Sequence, residues 1–158
     1  MTASQERALI DDPSSGLFSQ AFLLALLPTR VATARRSLRQ LGLVLVELAP
    51  TEGAAVDLDE VGELVRRTLR DSDIAARLDD GRLAMLLEFT PVHGCVVVAE
   101  RVARKLTERL TDLSCWAGVA CYPAHAIDDQ ELLVAAADAL AGASEGPSGT
   151  VAVAPVAD

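Results

Sequence analysis

"RLDDGRLAMLLE", residues 77–88, decides how this chain folds. Two apolar runs, "DIAARL" at 73–78 and "RLAMLLEF" at 82–89, flank Asp79, Asp80 and Gly81. Short runs separated by Asp and Gly specify two antiparallel strands joined by a tight turn, with Asp80 and Gly81 expected as a two-residue link. The turn is also charged, since Arg82 follows the two adjacent carboxylates. It is either a site of chemistry or only a turn, and the flanking sequence bears on which.

Upstream, "DLDEVGELVRRTLR" at 57–70 has acids at its start and arginines at its end, which suits a helix dipole, and Leu58, Val61, Leu64 and Leu69 fit one helical face. Before it, "LGLVLVELA" at 41–49 is a continuous apolar run, the pattern of a strand buried on both faces. Residues 17–39 carry Phe18, Phe22, Leu26, Val31 and Leu38 at helical spacing, with Pro28 expected to bend or divide the helix. Downstream, "HGCVVVAERVARKLTERL" is helical and "SCWAGVACYP" is a strand stopped by Pro123. "DDQELLVAAADALAGA" is an acid-started helix, and "TVAVAP" supplies an edge strand. The order contains βαββαβ, a ferredoxin-like core. The fold class is therefore α/β, an α+β sandwich whose mainly antiparallel sheet has helices packed on one face.

The 158 residues suit one domain, 1–158, with a helical lead over about 1–16 and an edge strand and tail over about 145–158. Apolar residues make up 51% of the chain and aromatics 3%, so Leu, Val and Ala must build the core. A net charge of −9 disfavours nonspecific contact with nucleic acid or an anionic membrane; an anionic ligand needs a local arginine cluster. The longest apolar stretch, "AFLLALL", is too short to cross a bilayer, and a cytoplasmic location is expected. That stretch is either ordinary core or a surface for a partner. Cys95, Cys115 and Cys121 lack CxxC spacing and read as reduced core residues; His93 and His125 are isolated, so no metal and no cofactor is expected.

Four strings in order resemble the GGDEF domain, the family of diguanylate cyclases that join two GTP molecules into cyclic di-GMP. "DPSSGLF" at 12–18 is similar to the opening DxLTGL motif, keeping Asp12, Gly16 and Leu17. "RDSDIAARLDDGRLAMLL" lies without a gap along the RxxD stretch and signature hairpin, "WAGVACYP" resembles the SiGvAxYP strand, and "AADAL" the start of the last helix. The resemblance implies the palm-type nucleotide cyclase fold. It also shows where this chain departs. The signature glycines are replaced by Asp79 and Asp80, its acids fall on Gly81 and Arg82, and its phenylalanine on Leu83. Glu47 alone remains as a plausible Mg²⁺ ligand, and phosphoryl transfer needs more than one such group. A substitute metal site from Glu47, Asp79 and Asp80 competes with a solvated acidic rim. "PTEGAAVDLDEVGEL" lacks the base-recognition segments, and "ASEGPSG" lacks the phosphate-binding lysine and arginine. Trp116, where the family has a small residue, reads as core or as filler of the vacated nucleotide pocket. The expected chain is not an enzyme.

The family's inhibitory site for its own product uses an RxxD motif, which here is Arg70 and Asp73, completed by an arginine on the following helix, here Arg101 or Arg104. A guanidinium can pair bidentately with a phosphate or guanine edge, and a carboxylate can accept from guanine N–H groups. Beside this stands a local explanation: Arg66, Arg67 and Arg70 end a helix where positive charge is favourable, and Asp73 caps the turn into the strand. The implied functions are a cyclic di-GMP receptor or, alternatively, a protein-interaction or homodimerisation module without nucleotide binding.

Overall fold

The structure, a computed structural model, describes residues 2–156, the Ala8 side chain excepted. Met1 of the expected lead and Ala157 and Asp158 of the expected tail lie outside the described residues. The chain runs α1 (Ala3–Ile10), β1 (Phe18–Ser19), α2 (Gln20–Ser37), β2 (Leu41–Pro50), α3 (Leu58–Thr68), β3 (Ile74–Arg77), β4 (Leu83–Glu88), α4 (Val92–Arg109), β5 (Leu113–Tyr122), α5 (Asp129–Ala143) and β6 (Val151–Val153).

Side-chain caps set most helix starts. Thr2, Ser19, Asp57 and Asp128 each accept a hydrogen bond from a backbone N–H in the first turn of their helix. Ser19 moves the start of α2 to Gln20, after a two-residue strand that helical periodicity conceals. Pro28 does not divide α2. Its missing hydrogen bond is outweighed by Leu23, Leu27, Val31 and Ala34, which bury the helix against the sheet on both sides of the proline.

The sheet order is β1-β3-β4-β2-β5-β6. β2 lies between β4 and β5 and is antiparallel to both, pairing Leu41 with Glu88 on one side and with Tyr122 on the other. The edge strands β1 and β6 add parallel pairs. Alternate residues of the central strands face opposite layers. Val44, Val46, Met85 and Val119 pack with Val61, Val65, Ala99 and Val102 of α3 and α4. Leu43, Leu45, Leu86 and Ala120 pack with Leu27, Val31, Leu132 and Ala136 of α2 and α5.

Helices on one face therefore describe only part of the molecule. The crossover helices α3 and α4 share a face as the ferredoxin-like order requires, while α2 and α5, outside the βαββαβ unit, cover the other. Contact on the second face is close. A Cβ at Gly118 would overlap the backbones of Ala136 and Leu140, so α5 rests directly on β5.

The β3–β4 hairpin has one more loop residue than the sequence suggests. Leu78 N–H donates to Arg82 O at 2.7 Å and Gly81 N–H to Leu78 O at 2.9 Å, leaving Asp79, Asp80 and Gly81 as a three-residue loop. Gly81, at φ +92°, takes the left-handed position that closes such a loop. The hairpin and the turn before β3 lie at opposite ends of β4, about 17 Å apart along the strand.

Candidate ligand-binding site

At the hairpin end, Asp80 and Arg82 satisfy each other. Asp80 accepts from Arg82 N–H at 3.0 Å and from Arg82 Nε at 2.7 Å. Asp79 N–H donates to Gln20 Oε1 at 3.0 Å. Glu47 lies across from Trp116 on β5, and the Trp116 indole, half-buried against the α5 layer, donates to Gly146 O at 2.9 Å. Among the described residues no three His, Cys, Asp or Glu side chains converge to hold a metal ion, so Glu47, Asp79 and Asp80 do not form one group.

The three cysteines are free and buried. Burial pushes the Cys115 thiol up to about 11. The Cys121 thiol, 3.6 Å from Cys95 Sγ, together with burial, pushes the Cys95 thiol above its ordinary range. Neither Cys95 nor Cys115 is thus a ready thiolate at neutral pH.

At the opposite end of β4, Arg70 and Asp73 come together as the motif implies. Asp73 Oδ2 accepts from the backbone N–H of Arg70 at 3.0 Å and from Arg70 Nε at 3.3 Å. Asp73 Oδ1 accepts from Arg70 Nη2 and from Glu88 N–H, each at 3.3 Å. The same Nη2 donates to Glu88 O at 2.9 Å and to Thr90 Oγ1 at 2.6 Å. The turn out of α3 is thereby clasped to the end of β4. The Asp73 side chain is 2% exposed and the Arg70 side chain 60%. The carboxylate fixes the arginine from behind and leaves the guanidinium at the surface.

Arg70 and Asp73 line a cleft of about 290 Å³ together with Arg66, Leu69, Asp71, Ala75 and the segment around Leu17 and Phe18. That segment is held in place: Asp12 Oδ2 accepts from Ser15 Oγ at 2.6 Å, and Arg66 Nη1 donates to Gly16 O at 2.8 Å. Arg101 and Arg104 are exposed on α4 and do not line this cleft. The second arginine of the cleft is Arg66, four residues before Arg70. That spacing was visible in the sequence, but it was explained there by the helix dipole alone. Beyond the clasp, Phe89 has φ +51°, and the Arg39 guanidinium lies over its ring, 5.1 Å from the centroid.

Known structures place this architecture. The GGDEF domain of YfiN (TpbB) from Pseudomonas aeruginosa superposes with a TM-score of 0.82 at 24% identity, over 91% of this chain and 94% of that one. The coiled coil and GGDEF domain of DgcB from Caulobacter crescentus, solved in complex with c-di-GMP, gives 0.82 at 16% identity, over 96% and 88%. Diguanylate cyclase SiaD from Pseudomonas aeruginosa, solved with its activator SiaC, gives 0.81 at 20% identity, over 96% and 64%. A comparison with curated proteins finds no match. The family described as diguanylate cyclase, GGDEF domain, matches residues 53–148, more than half of the chain. The chain belongs to the GGDEF family. Among the described residues no helix is long and apolar enough to cross a membrane.

Proposed function

We propose that this chain is a catalytically inactive GGDEF domain acting in cytoplasmic signalling as a receptor for cyclic di-GMP. The observation that carries the receptor role is the half-open Arg70: its guanidinium is held by Asp73 and exposed at the rim of a cleft that also presents Arg66 and Asp71. A guanidinium so oriented suits a phosphate or the O6/N7 edge of guanine. Asp73 has its oxygens engaged within the chain, so the exposed Asp71 is the better acceptor for guanine N–H groups. Arg101 and Arg104, exposed on α4, lie outside the cleft and take no part in this reading of the site.

Inactivity is supported by the hairpin, where Asp80 is spent on Arg82 and side chains replace the glycines that let a nucleotide approach the backbone. Incubation with GTP and Mg²⁺ is expected to yield no cyclic di-GMP; product above a no-protein control overturns this part. Isothermal titration with cyclic di-GMP tests the receptor. Saturable heat that disappears with Arg70→Ala is expected, and no heat from the unmodified chain eliminates the role.

One observation favours a second function, a protein-interaction or dimerisation module. Ile127, Val134 and Val156, 59%, 59% and 75% exposed, line a cavity of about 790 Å³ between α5 and the segment that follows β6. Complexes such as that of SiaD with SiaC set a precedent for a diguanylate cyclase held by a protein partner. In that case Val134→Asp abolishes association in sedimentation velocity, while the dinucleotide has no effect on it.

A further inference from the structure

Phe89 is placed against two ordinary preferences at once. Its φ of +51° lies in the left-handed region that bulky residues rarely enter, and the residue is 40% exposed. Core packing does not require a ring held this way, and strained backbone of this kind clusters at ligand sites. The residues on either side of Phe89 are the ones that hold Arg70, Glu88 through its carbonyl and Thr90 through its hydroxyl. Over the ring lies Arg39, which forms no ion pair among the described residues. Nearby, Arg30 pairs with the Glu88 carboxylate at 2.9 Å and Arg35 lies over Tyr122, 5.9 Å from its ring centroid. In a chain of net charge −9, this end of the sheet gathers arginines and aromatic rings.

We propose that Phe89 is a stacking platform for the base of a purine nucleotide, with Arg39 and Arg70 receiving its phosphate and base-edge oxygens. The choice of Arg70 as anchor rests on the receptor function above; the platform adds a residue and fixes the ligand class. A flat phenylalanine ring with guanidinium donors beside it is the chemistry that holds an unpaired base, which would stack on the face that Arg39 does not cover. The strained backbone is what turns the ring outward beside Arg70 instead of into the core.

The test is titration of the full chain with cyclic di-GMP and with GMP, using the unmodified protein, Phe89→Leu, Phe89→Gly and Arg70→Ala, with thermal unfolding of each. Both Phe89 variants are expected to weaken binding about ten- to a hundred-fold through lost stacking. Phe89→Gly is expected to hold or raise the thermal midpoint, because glycine accepts the left-handed backbone. Unchanged affinity in both Phe89 variants overturns the platform and leaves the receptor standing, as does a Phe89→Gly protein whose midpoint falls in step with its affinity. Weakened binding in the Phe89 variants with no effect of Arg70→Ala keeps the platform and refutes the Arg70 site. No heat from the unmodified protein with either nucleotide overturns both.

Discussion

Four N–H groups converge on the carboxylate of Asp73, two from backbone amides and two from the Arg70 guanidinium. Removing that acceptor strands donors beneath the surface, so Asp73→Ala should cost about 1–3 kcal/mol in urea denaturation. Arg70→Ala, which removes the exposed partner, should cost less than about 1 kcal/mol. A binding defect in Asp73→Ala is therefore ambiguous, whereas one in Arg70→Ala is not. His125 gives a pH dependence. Burial lowers its affinity for a proton, and Nδ1 accepts the Cys121 N–H at 2.8 Å, a role for neutral imidazole. The unfolded chain then binds a proton first, so His125 supports the fold above the ordinary histidine value and loses that contribution as pH falls from about 6.5 toward its folded value. His125→Gln should flatten this part of the stability profile between pH 7 and 5 in chemical denaturation. The register of Arg70 and Asp73 was legible in the sequence. The engagement of Asp73 with Glu88 was not, because its donor comes from 15 residues away, and the sign of φ at Phe89 leaves no mark in composition or spacing.

Elements were legible where a cap or a period marks them. Asp57 and Asp128 announce α3 and α5, and the βαββαβ order follows from alternating periods. β1, two residues long, is fixed by pairing with β3 and has too few residues to show a period. The extra loop residue in the hairpin depends on the left-handed Gly81, and Asp-Gly fits a two-residue or a three-residue link equally well. The second helical layer had been signalled, since a strand buried on both faces needs cover on both. The run at 41–49 already argued against a sheet covered on one side. At this scale the sharpest expectation concerns Gly118. Its replacement by Ala pushes α5 off β5, a backbone contact that no rotamer can relieve, and should destabilise by about 1–3 kcal/mol or more in thermal denaturation. The same change at Gly142, where an added Cβ meets nothing, should be neutral or mildly stabilising.

For the molecule as a whole, a ligand that binds only the folded state adds stability by mass action. Cyclic di-GMP at a hundred times its dissociation constant should raise unfolding free energy by about 2.7 kcal/mol, seen as a higher thermal midpoint that Arg70→Ala abolishes. Chain order made the whole-molecule fold legible. The completed cleft was less so, because it unites residues near 17, 66 and 73 that only the folded sheet brings together. The clasp between Arg70 and the end of β4 has one further consequence. Asp73 Oδ1, Glu88 O and Thr90 Oγ1 are, for Nη2, internal rivals of any anion that needs that nitrogen, present at a fixed local concentration. Where a ligand must displace them, apparent affinity is the intrinsic affinity scaled by the fraction of time the arginine is released. The threshold at which such a domain responds is then set by a buried carboxylate, a threonine and a main-chain carbonyl that need never touch the ligand.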